Sequence, residues 1–436
     1  MPGWREPKRT ALPIVAMCAA GFAVTLWVFW PGIMTFDARY IYADMAKGFY
    51  GDWQSPVMIV LWRLIDAIAP GTGSLLLLTV ALYWLTLGLI ATTLARSSPL
   101  LALLLPFLAL SPPAFVLVGI IWRDVLFAIM WLLAAALVFA TAERGRHRIA
   151  MQIVALALLA FGVLLRPNAL AAAPLLAAYI LWPSRFAWKR TALLYVPAVL
   201  ALFGLVQVVY YGVLGAVRQQ PLHSIMVFDL GGISHFAKDN VFPGSWTADE
   251  TKLITDGCYL PLAWDIYWTQ EPCSFVMEHL EKRDKIFASP ALTEAWTRAL
   301  LRHPIAYLEH RTAFMGTFLF GSWNMTMWSR DLDDADKIAF ADNPGLMALK
   351  TIHDTLKQTP VFFAGTWLLL DMIVCGFAWR RRDTPEGLFA LGVCGSAIVY
   401  VMTFTAVGVA TDFRYAYWAV LAGLTGAVAV ATRRTL

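Results

Sequence analysis

Four short polar stretches of the sequence carry carboxylate and guanidinium groups directly beside long apolar runs. Asp37 follows the first apolar run, and Arg123 and Asp124 separate two later runs. Arg166 ends another run, and Arg414 opens the last one. Charged side chains beside membrane-spanning segments are costly and tend to mark functional sites. These groups suit displacement at a carbon that bears a phosphate, because the attacking hydroxyl needs a base and guanidinium groups stabilise the departing phosphate.

The stretch after the first apolar run has the pattern of a short helix over residues 36–50. Asp37 is suited to cap its start and Gly51 to end it. Spacings of three, four and three residues put four side chains on one face, namely those of Asp37, Tyr40, Asp44 and Lys47. Two interpretations stay open. Either this face binds a substrate, or Asp37 only caps the helix while the others are solvated at the headgroup level.

The remaining charged and aromatic residues in these stretches also have two interpretations. Each arginine could be a snorkelling side chain and each tyrosine an interfacial anchor. Four such sites on one side of a membrane favour a binding site instead. We expect substrate contacts from Arg39, Tyr40, Asp44, Lys47, Asp52, Trp53, Asn168 and Tyr415.

The composition excludes a soluble globular protein. The 436 residues are 59% hydrophobic and only 14% charged, against about 25% charged in soluble domains. Apolar runs long enough to cross a hydrocarbon core of about 30 Å recur along the chain. They cover residues 11–30, 74–95, 99–121, 125–141, 149–165, 168–183, 191–214, 360–379, 387–410 and 413–431. The sequence therefore predicts an all-α polytopic membrane protein with about ten transmembrane helices.

The segment 57–69 decides which side of the membrane each loop faces. Its 13 residues carry Arg63 and Asp66 and are too short to cross easily, so we expect a juxtamembrane helix at the outer surface. The basic clusters beside the spans then all face the cytoplasm, as the positive-inside tendency requires. These clusters contain Arg5, Lys8, Arg9, Arg96, Arg144, Arg146, Arg148, Arg185, Lys189, Arg190, Arg380, Arg381, Arg382, Arg433 and Arg434.

This orientation predicts a bacterial inner-membrane protein with both termini in the cytoplasm and the candidate site on the periplasmic face. The net charge of +5 then reports membrane orientation, and the lipid bilayer rather than a nucleic acid is the expected partner.

The topology divides the chain into three parts. Residues 1–214 form an N-terminal membrane domain whose first outer loop covers 31–73. Residues 215–359, called the large loop below, are expected to form a periplasmic domain, and residues 360–436 form the C-terminal membrane helices. Within the large loop, apolar and polar positions alternate with helical spacing from Ala291 to Phe320.

Cys258 and Cys273 both lie in the large loop, 15 positions apart. On an oxidising face they predict a disulfide that stabilises by about 3 kcal/mol through loop closure. Two free thiols are the alternative, and a metal pair is less favoured because neither cysteine has a second one nearby.

The first loop also resembles a known family. An aspartate after the first span, Arg-Tyr two positions on, and Gly-Asp-Trp with a following proline are similar to the first outer loop of the polyprenyl-phosphate-dependent glycosyltransferases of the type C membrane fold. That superfamily includes aminoarabinose transferase and the protein mannosyltransferases. The matching residues are Asp37, Arg39, Tyr40, Gly51, Asp52, Trp53 and Pro56. Trp122-Arg123-Asp124 resembles the family's second outer acidic turn, and Asp412-Phe413-Arg414-Tyr415 resembles a motif before the last span.

The resemblance covers about the first 215 residues well and the remainder loosely. It implies an inverting enzyme that moves a sugar from a polyprenyl-phosphate donor to a hydroxyl of an envelope glycan, lipid or lipopolysaccharide. Asp37 would be the catalytic acidic residue, and Asp124 would assist it or hold its geometry. Arg123, Arg166 and Arg414 would stabilise the leaving phosphate.

The sequence departs from some relatives at a metal-binding position. Gln54 and Ser55 precede Pro56, where those relatives carry an acidic residue. We therefore assign no cofactor, although a divalent cation stays open because oxygen ligands are present in the side chains of Asp37, Asp44, Asp52 and Asp124.

Two other functions stay open as alternatives. A transporter or flippase for lipid-linked saccharides predicts charged residues near the bilayer midplane and matching halves, whereas the polar sites here cluster at one face. A polysaccharide ligase or polymerase does not explain an acidic aromatic helix straight after the first span. The scattered histidines of the large loop have no metal-ligand spacing, and they are His223, His235, His303 and His310.

Overall fold

A computed structural model describes residues 6–142, 145–321 and 343–432. This part of the chain is all-α: it contains no β-strand, and its extended pairings are three isolated bridges. The first ten helices are α1 (Glu6–Phe29), α2 (Phe36–Lys47), α3 (Pro56–Asp66), α4 (Thr72–Leu94), α5 (Pro99–Leu108), α6 (Pro112–Val118), α7 (Arg123–Thr141), α8 (Gly145–Leu165), α9 (Ala173–Leu181) and α10 (Trp188–Gln207). The next ten are α11 (Leu222–Ala237), α12 (Ala248–Asp256), α13 (Ile266–Thr269), α14 (Phe275–Met277), α15 (Pro290–Arg302), α16 (Pro304–Phe320), α17 (Pro344–Leu356), α18 (Ala364–Trp379), α19 (Pro385–Val407) and α20 (Tyr417–Ala431).

The chain is a polytopic membrane protein, and its described part has seven helical segments that are long and apolar enough to cross a membrane, or eight if a bent pair counts as one span. The bent pair is α5 with α6, which meet at 55° across the predicted run 99–121. Two other predicted runs also differ from single long helices. Residues 168–183 form a 3₁₀ turn and the nine-residue α9, and residues 360–379 form a 3₁₀ turn and the 16-residue α18. Prolines in the first turns of α6 and α9 account for the breaks in the first two runs, because proline cannot donate a backbone hydrogen bond.

The charge argument for orientation covers residues that the structure does not describe. Arg5, Arg144, Arg433 and Arg434 lie outside the described residues.

The loop after α1 forms the predicted short helix, but with different ends. Thr35 is the N-cap residue of α2 and makes no side-chain cap, so Asp37 lies in the first turn rather than capping it. Gly48, with φ of 65°, ends α2 three residues before the predicted Gly51. Glycine suits that position because it adopts a left-handed conformation without strain. The capping interpretation of Asp37 is therefore wrong.

The predicted juxtamembrane helix over 57–69 is α3, which has 11 residues. At 1.5 Å per residue it is about 16 Å long, about half of a hydrocarbon core. Ser55 caps its start by accepting a hydrogen bond from the Met58 amide, and Trp62 is fully buried. On the other side, Leu64 is exposed.

Helix α7 lies at the centre of the membrane bundle. Buried residues make up 83% of its apolar stretch, against 6% for the segment that begins with α10. Helix α8 packs closely on α7 because Gly162 leaves room for Trp131, whose indole donates to the Leu159 carbonyl at 3.1 Å. A Cβ at Gly162 would lie 2.3 Å from the Trp131 indole nitrogen. With only 6% of its apolar stretch buried, the segment that begins with α10 is the described span most open to lipid.

The large loop is helical where the structure describes it. The stretch from Ala291 to Phe320, which was predicted to be helical, forms α15 and α16, and these two helices join at His303-Pro304. The predicted Cys258–Cys273 disulfide is present. Two backbone hydrogen bonds of 2.9 Å, Trp264 N–H to Val409 O and Thr411 N–H to Leu262 O, tie this loop to the segment before α20.

Candidate active site

Asp37 and Arg414 form the centre of the candidate site. An Asp37 carboxylate oxygen lies 2.5 Å from Nη1 of Arg414, and the Gln54 amide nitrogen lies 3.4 Å from the other oxygen. The loop after α1 supplies the aspartate, whereas the 3₁₀ turn Phe413–Ala416 before α20 supplies the arginine. The Asp37 side chain is 34% exposed, so a hydroxyl group can approach it.

Arg414 has a second carboxylate partner and two aromatic ones. Its Nε lies 3.1 Å from an oxygen of Asp412, and its guanidinium carbon lies 4.4 Å from the ring centre of Trp122 and 5.1 Å from that of Tyr415. Asp412 itself accepts a hydrogen bond from the Arg414 amide at 3.1 Å, which closes the turn. The Arg414 guanidinium is therefore held on several sides.

A second ion pair joins the start of α7 to the end of α8. Nε of Arg166 lies 2.9 Å from an Asp124 oxygen, and both side chains are buried. Arg166 also donates to the Tyr400 hydroxyl at 3.4 Å and lies over the Tyr415 ring at 4.7 Å. Tyr415 thus lies between two guanidinium groups and links the two ion pairs. We call Asp37, Arg123, Asp124, Arg166, Asp412, Arg414 and Tyr415 the aspartate–arginine cluster.

Arg123 differs from the other two arginines. Its Nη1 donates to the Trp53 carbonyl at 3.3 Å. In the part of the chain that the structure describes, no carboxylate lies within 4.0 Å of its guanidinium group, although Asp124 and Asp37 interact with it at longer range. A half-buried guanidinium without an ion-pair partner is a ready site for an anion.

The pKa values of two carboxyl groups in the cluster shift in opposite directions. Burial raises the pKa of Asp37, but Arg414, Arg123 and Arg166 together lower it further, so that the pKa lies below its usual value. Burial raises the pKa of Asp412 to about 6, against the lowering effect of Arg414. At neutral pH Asp37 is therefore a carboxylate, and Asp412 titrates nearer to physiological pH than an ordinary aspartate.

The other predicted contact residues divide into two groups. Asp52 and Trp53 lie near the cluster but have their own partners. The Asp52 carboxylate accepts from the Tyr211 hydroxyl at 2.8 Å and from the backbone N–H of Gln219 at 2.6 Å. Asp52 thereby anchors the start of the large loop. Trp53 contacts the Trp264 ring, with ring centres 5.7 Å apart.

Three other side chains of α2, those of Tyr40, Asp44 and Lys47, make no hydrogen bond or ion pair with the cluster among the described residues. Tyr40 and Lys47 are exposed, and Asp44 is buried without a hydrogen bond to the arginines. Arg39 is half-buried on α2, and Asn168 is half-buried in the 3₁₀ turn directly after Arg166. The helical spacing predicts the positions of Tyr40, Asp44 and Lys47 along α2 but does not bring these three side chains to the cluster.

Three neighbours of the cluster were not expected from the sequence as site residues. Asp412 pairs with Arg414, and it lies in the motif that singled out the arginine. Tyr400 lies inside the apolar helix α19, and Asp265 lies in the large loop, where nothing in the sequence distinguishes it from other polar residues. A tyrosine in a membrane helix at the level of an arginine was the one available signal.

The four aspartates considered as cation ligands do not converge. Asp37 pairs with Arg414, Asp124 with Arg166, and Asp52 with Tyr211 and Gln219. Among the described residues there is no group of three or more histidine, cysteine, aspartate or glutamate side chains placed to hold a metal ion. The residues present do not fit a bound divalent cation, and we derive no step through one.

Comparisons with known proteins give a short match. No family model matches the chain, and no solved structure matches it. A stretch of 46 residues is 44% identical to protoheme IX farnesyltransferase from two strains of Xylella fastidiosa, Temecula1 and 9a5c. It covers 11% of this chain and 15% of those enzymes. That length corresponds to about two membrane helices. The chain is thus a helical polytopic membrane protein with partial similarity to a membrane prenyltransferase.

Proposed function

We propose that the protein is a glycosyltransferase that moves a sugar from a polyprenyl phosphate to an acceptor hydroxyl on the outer face of a bacterial inner membrane. The observation that carries this proposal is the pairing of a partly exposed carboxylate, Asp37, with Arg414 beside the unpaired guanidinium of Arg123. A base and a phosphate site are then within reach of one substrate.

The chemistry needs one bond to form and one to break. The acceptor oxygen attacks the anomeric carbon of the donor and loses its proton to Asp37. The bond from that carbon to the phosphate oxygen breaks on the opposite face, so the configuration inverts. The polyprenyl phosphate leaves with the electron pair, and Arg123 and Arg414 stabilise its added negative charge.

Asp124 has a supporting role in this proposal. Its buried 2.9 Å ion pair with Arg166 leaves it poorly placed to accept a proton from a substrate. The pair instead fixes the start of α7 relative to α8, and with it the position of the neighbouring Arg123. Of the two roles that the sequence left open for Asp124, we propose that it holds the geometry.

A prenyl lipid suits the membrane part of the chain. Helix α10 is the one most open to lipid and begins the segment whose end, at Tyr211, contacts Asp52 beside the cluster. The enzyme matched over 46 residues carries the farnesyl group in its name. A farnesyl group is a short prenyl chain, and this supports the lipid half of the donor rather than its sugar.

A flippase for lipid-linked saccharides is the second candidate, and Asp371 favours it. This residue is fully buried in the middle of α18, and acidic residues inside a membrane often belong to transport pathways. A flippase would move the donor lipid across vesicle membranes without changing it, whereas a transferase would release free polyprenyl phosphate.

The proposed function is tested by mass spectrometry of envelope glycans from a strain that lacks the gene. We expect one sugar substituent to be missing, to return with the wild-type gene, and to stay missing with an Asp37→Asn variant present in the membrane at wild-type level. An unchanged glycan profile, or restoration by Asp37→Asn, would contradict the proposal.

A further inference from the structure

The large loop places one carboxylate next to the aspartate–arginine cluster. Residues 262–264 pair with 409–411 through the two 2.9 Å backbone hydrogen bonds, so Asp265 follows directly on this pairing. The pairing is antiparallel, so Asp265 and Asp412 leave it at opposite ends. The ring of the neighbouring Trp264 contacts the ring of Trp53, whose carbonyl accepts from Arg123, and this contact places Asp265 near the cluster.

Asp265 keeps its carboxylate available for a ligand. Within the described ranges no lysine or arginine forms an ion pair with it, and the side chain is half-buried. It interacts electrostatically with Asp37 and with Arg414. Burial raises its pKa above the usual value and the charge of Asp37 adds to this, against the lowering effects of a hydrogen bond from its own backbone amide and of Arg414. A half-buried carboxylate without an ion-pair partner can accept hydrogen bonds from the hydroxyl groups of a ligand.

A row of three tryptophans leads from the cluster to the protein surface at the same place. Trp53 lies at the cluster, where its carbonyl accepts from Arg123. Its ring centre is 5.7 Å from that of Trp264, which is 5.8 Å from that of Trp268. Trp264 is 8% exposed and Trp268 is 42% exposed, so the outer end of the row is open to solvent.

We propose that Asp265 and this tryptophan row form the acceptor site, and that the acceptor is a saccharide. A sugar ring has an apolar C–H face that packs on an indole ring and hydroxyl groups that donate to a carboxylate. A purely lipid acceptor would match neither the exposed Trp268 nor the carboxylate. The proposal rests on the proposed transferase function, because the site lies beside Asp37, which takes the proton of the acceptor hydroxyl.

The alternative is a purely structural role, in which the tryptophans only pack the large loop onto the first loop. Trp264 does bury its ring between the two other indoles, and that part of the row is explained by packing. Packing does not explain the exposed indole of Trp268 or the carboxylate of Asp265 without an ion pair. The two interpretations differ in whether a sugar binds when no donor is present.

Saturation-transfer NMR on the full-length protein in detergent micelles tests the site with a defined panel. The probes are the methyl glycosides of glucose, galactose, mannose, N-acetylglucosamine and arabinose, each added without donor lipid. We expect at least one to receive saturation. Asp265→Asn and Trp268→Ala should each weaken its binding by about tenfold, since each loses one good contact. Trp188→Ala removes an equally exposed tryptophan, 57% accessible, at the start of α10 and should change nothing.

The outcomes separate this inference from the proposed reaction. Glycoside binding is measured on the wild-type protein without donor lipid, so its outcome does not depend on transfer. Absence of saturation from every glycoside of the panel, or unchanged binding in either Asp265→Asn or Trp268→Ala, would overturn the inference. If Asp37→Asn transferred sugar normally, the proposed mechanism would fail, and glycoside binding to the wild-type protein would still decide the saccharide site.

Discussion

At the scale of residues, the three arginines of the cluster have different partners and so different tasks. Arg166 pairs with Asp124, and Arg414 pairs with Asp37 and Asp412. Among the described residues, Arg123 donates only to a backbone carbonyl. The types of these residues were readable from the sequence, but the pairing was not, because Asp37 and Arg414 are 377 positions apart. Only the fold determines which carboxylate neutralises which guanidinium.

Arg123→Gln should weaken donor binding more than it slows the chemical step. The variant loses a charge-assisted hydrogen bond to the phosphate, which typically contributes about 1.5–3 kcal/mol, so the donor KM should rise about 10- to 100-fold. Steady-state transfer with a defined polyprenyl-phosphate sugar measures this. Arg302→Gln, at an exposed surface pair with Asp239, is the control and should leave KM unchanged. An unchanged donor KM in Arg123→Gln would remove the phosphate role from this residue.

Asp412 should give donor binding a pH dependence. Its pKa of about 6 means that it is ionised at pH 7.5 and neutral at pH 5, while Asp37, with its lowered pKa, stays ionised throughout. Protonation of Asp412 adds one positive charge to the cluster, and the phosphodiester of the donor keeps its single charge over this range. The donor KM should therefore fall by about three- to tenfold from pH 7.5 to pH 5.

The matched variant for that measurement is Asp412→Asn, which is neutral at every pH. Its donor KM should be low and flat across the same range. A pH dependence equal to that of the wild type would show that another group titrates.

At the scale of elements, the apolar patterns predicted helices well and their ends poorly. The run 57–69 became α3, and the alternation from Ala291 to Phe320 became α15 and α16. Helix α2 ends at Gly48 rather than at the predicted Gly51, because Gly48 is the residue that adopts the left-handed conformation. Sequence patterns do not report tertiary contacts, such as the contact of Trp264 with Trp53 that places Asp265 near the cluster.

Helices α11 and α16 are joined by a buried ion pair that should be important for stability. Nη2 of Arg311 lies 2.5 Å from an Asp229 oxygen, Trp296 donates to the other oxygen at 2.8 Å, and Nη1 of Arg311 donates to the Gly408 carbonyl at 2.7 Å. Arg311→Met leaves the Asp229 charge buried without its cation, which should cost about 3–5 kcal/mol. Thermal unfolding in detergent measures this.

The control for that substitution is Arg298→Met. Arg298 pairs with Glu294 on the exposed surface of α15, and such pairs contribute about 1 kcal/mol or less. Equal melting temperatures for the Arg311 and Arg298 variants would contradict the stabilising role of the buried pair.

At the scale of the whole molecule, the charge pattern and the structure agree on which helix ends belong together. The loop after α1, the start of α7, the end of α8 and the start of α20 meet in one cluster, and all four were assigned to the same side of the membrane from the basic residues. The sequence could not give the full set of spans, because α5 with α6, α9 and α18 are short or bent segments whose apolar content resembles that of a straight span.

The orientation is tested by labelling single introduced cysteines with a membrane-impermeant maleimide. Ala69 is exposed after α3 and avoids Gly71, whose φ of 106° would strain a cysteine. Ala69→Cys should label in intact spheroplasts, whereas His147→Cys, exposed at the start of α8, should label only after permeabilisation. Labelling of both in intact spheroplasts would contradict the assigned orientation, because the two positions would then lie on the same side of the membrane.

The central claim is that Asp37 is the base of the transfer. The most direct test measures how fast the reconstituted Asp37→Asn variant releases polyprenyl phosphate from the donor. The asparagine keeps the shape of the side chain and removes the proton acceptor, so release should fall by about 10²- to 10⁴-fold with the donor still bound. Asp256→Asn, at an exposed pair with Lys238, is the control and should release at the wild-type rate. Near-normal release by a folded Asp37→Asn protein would contradict the account.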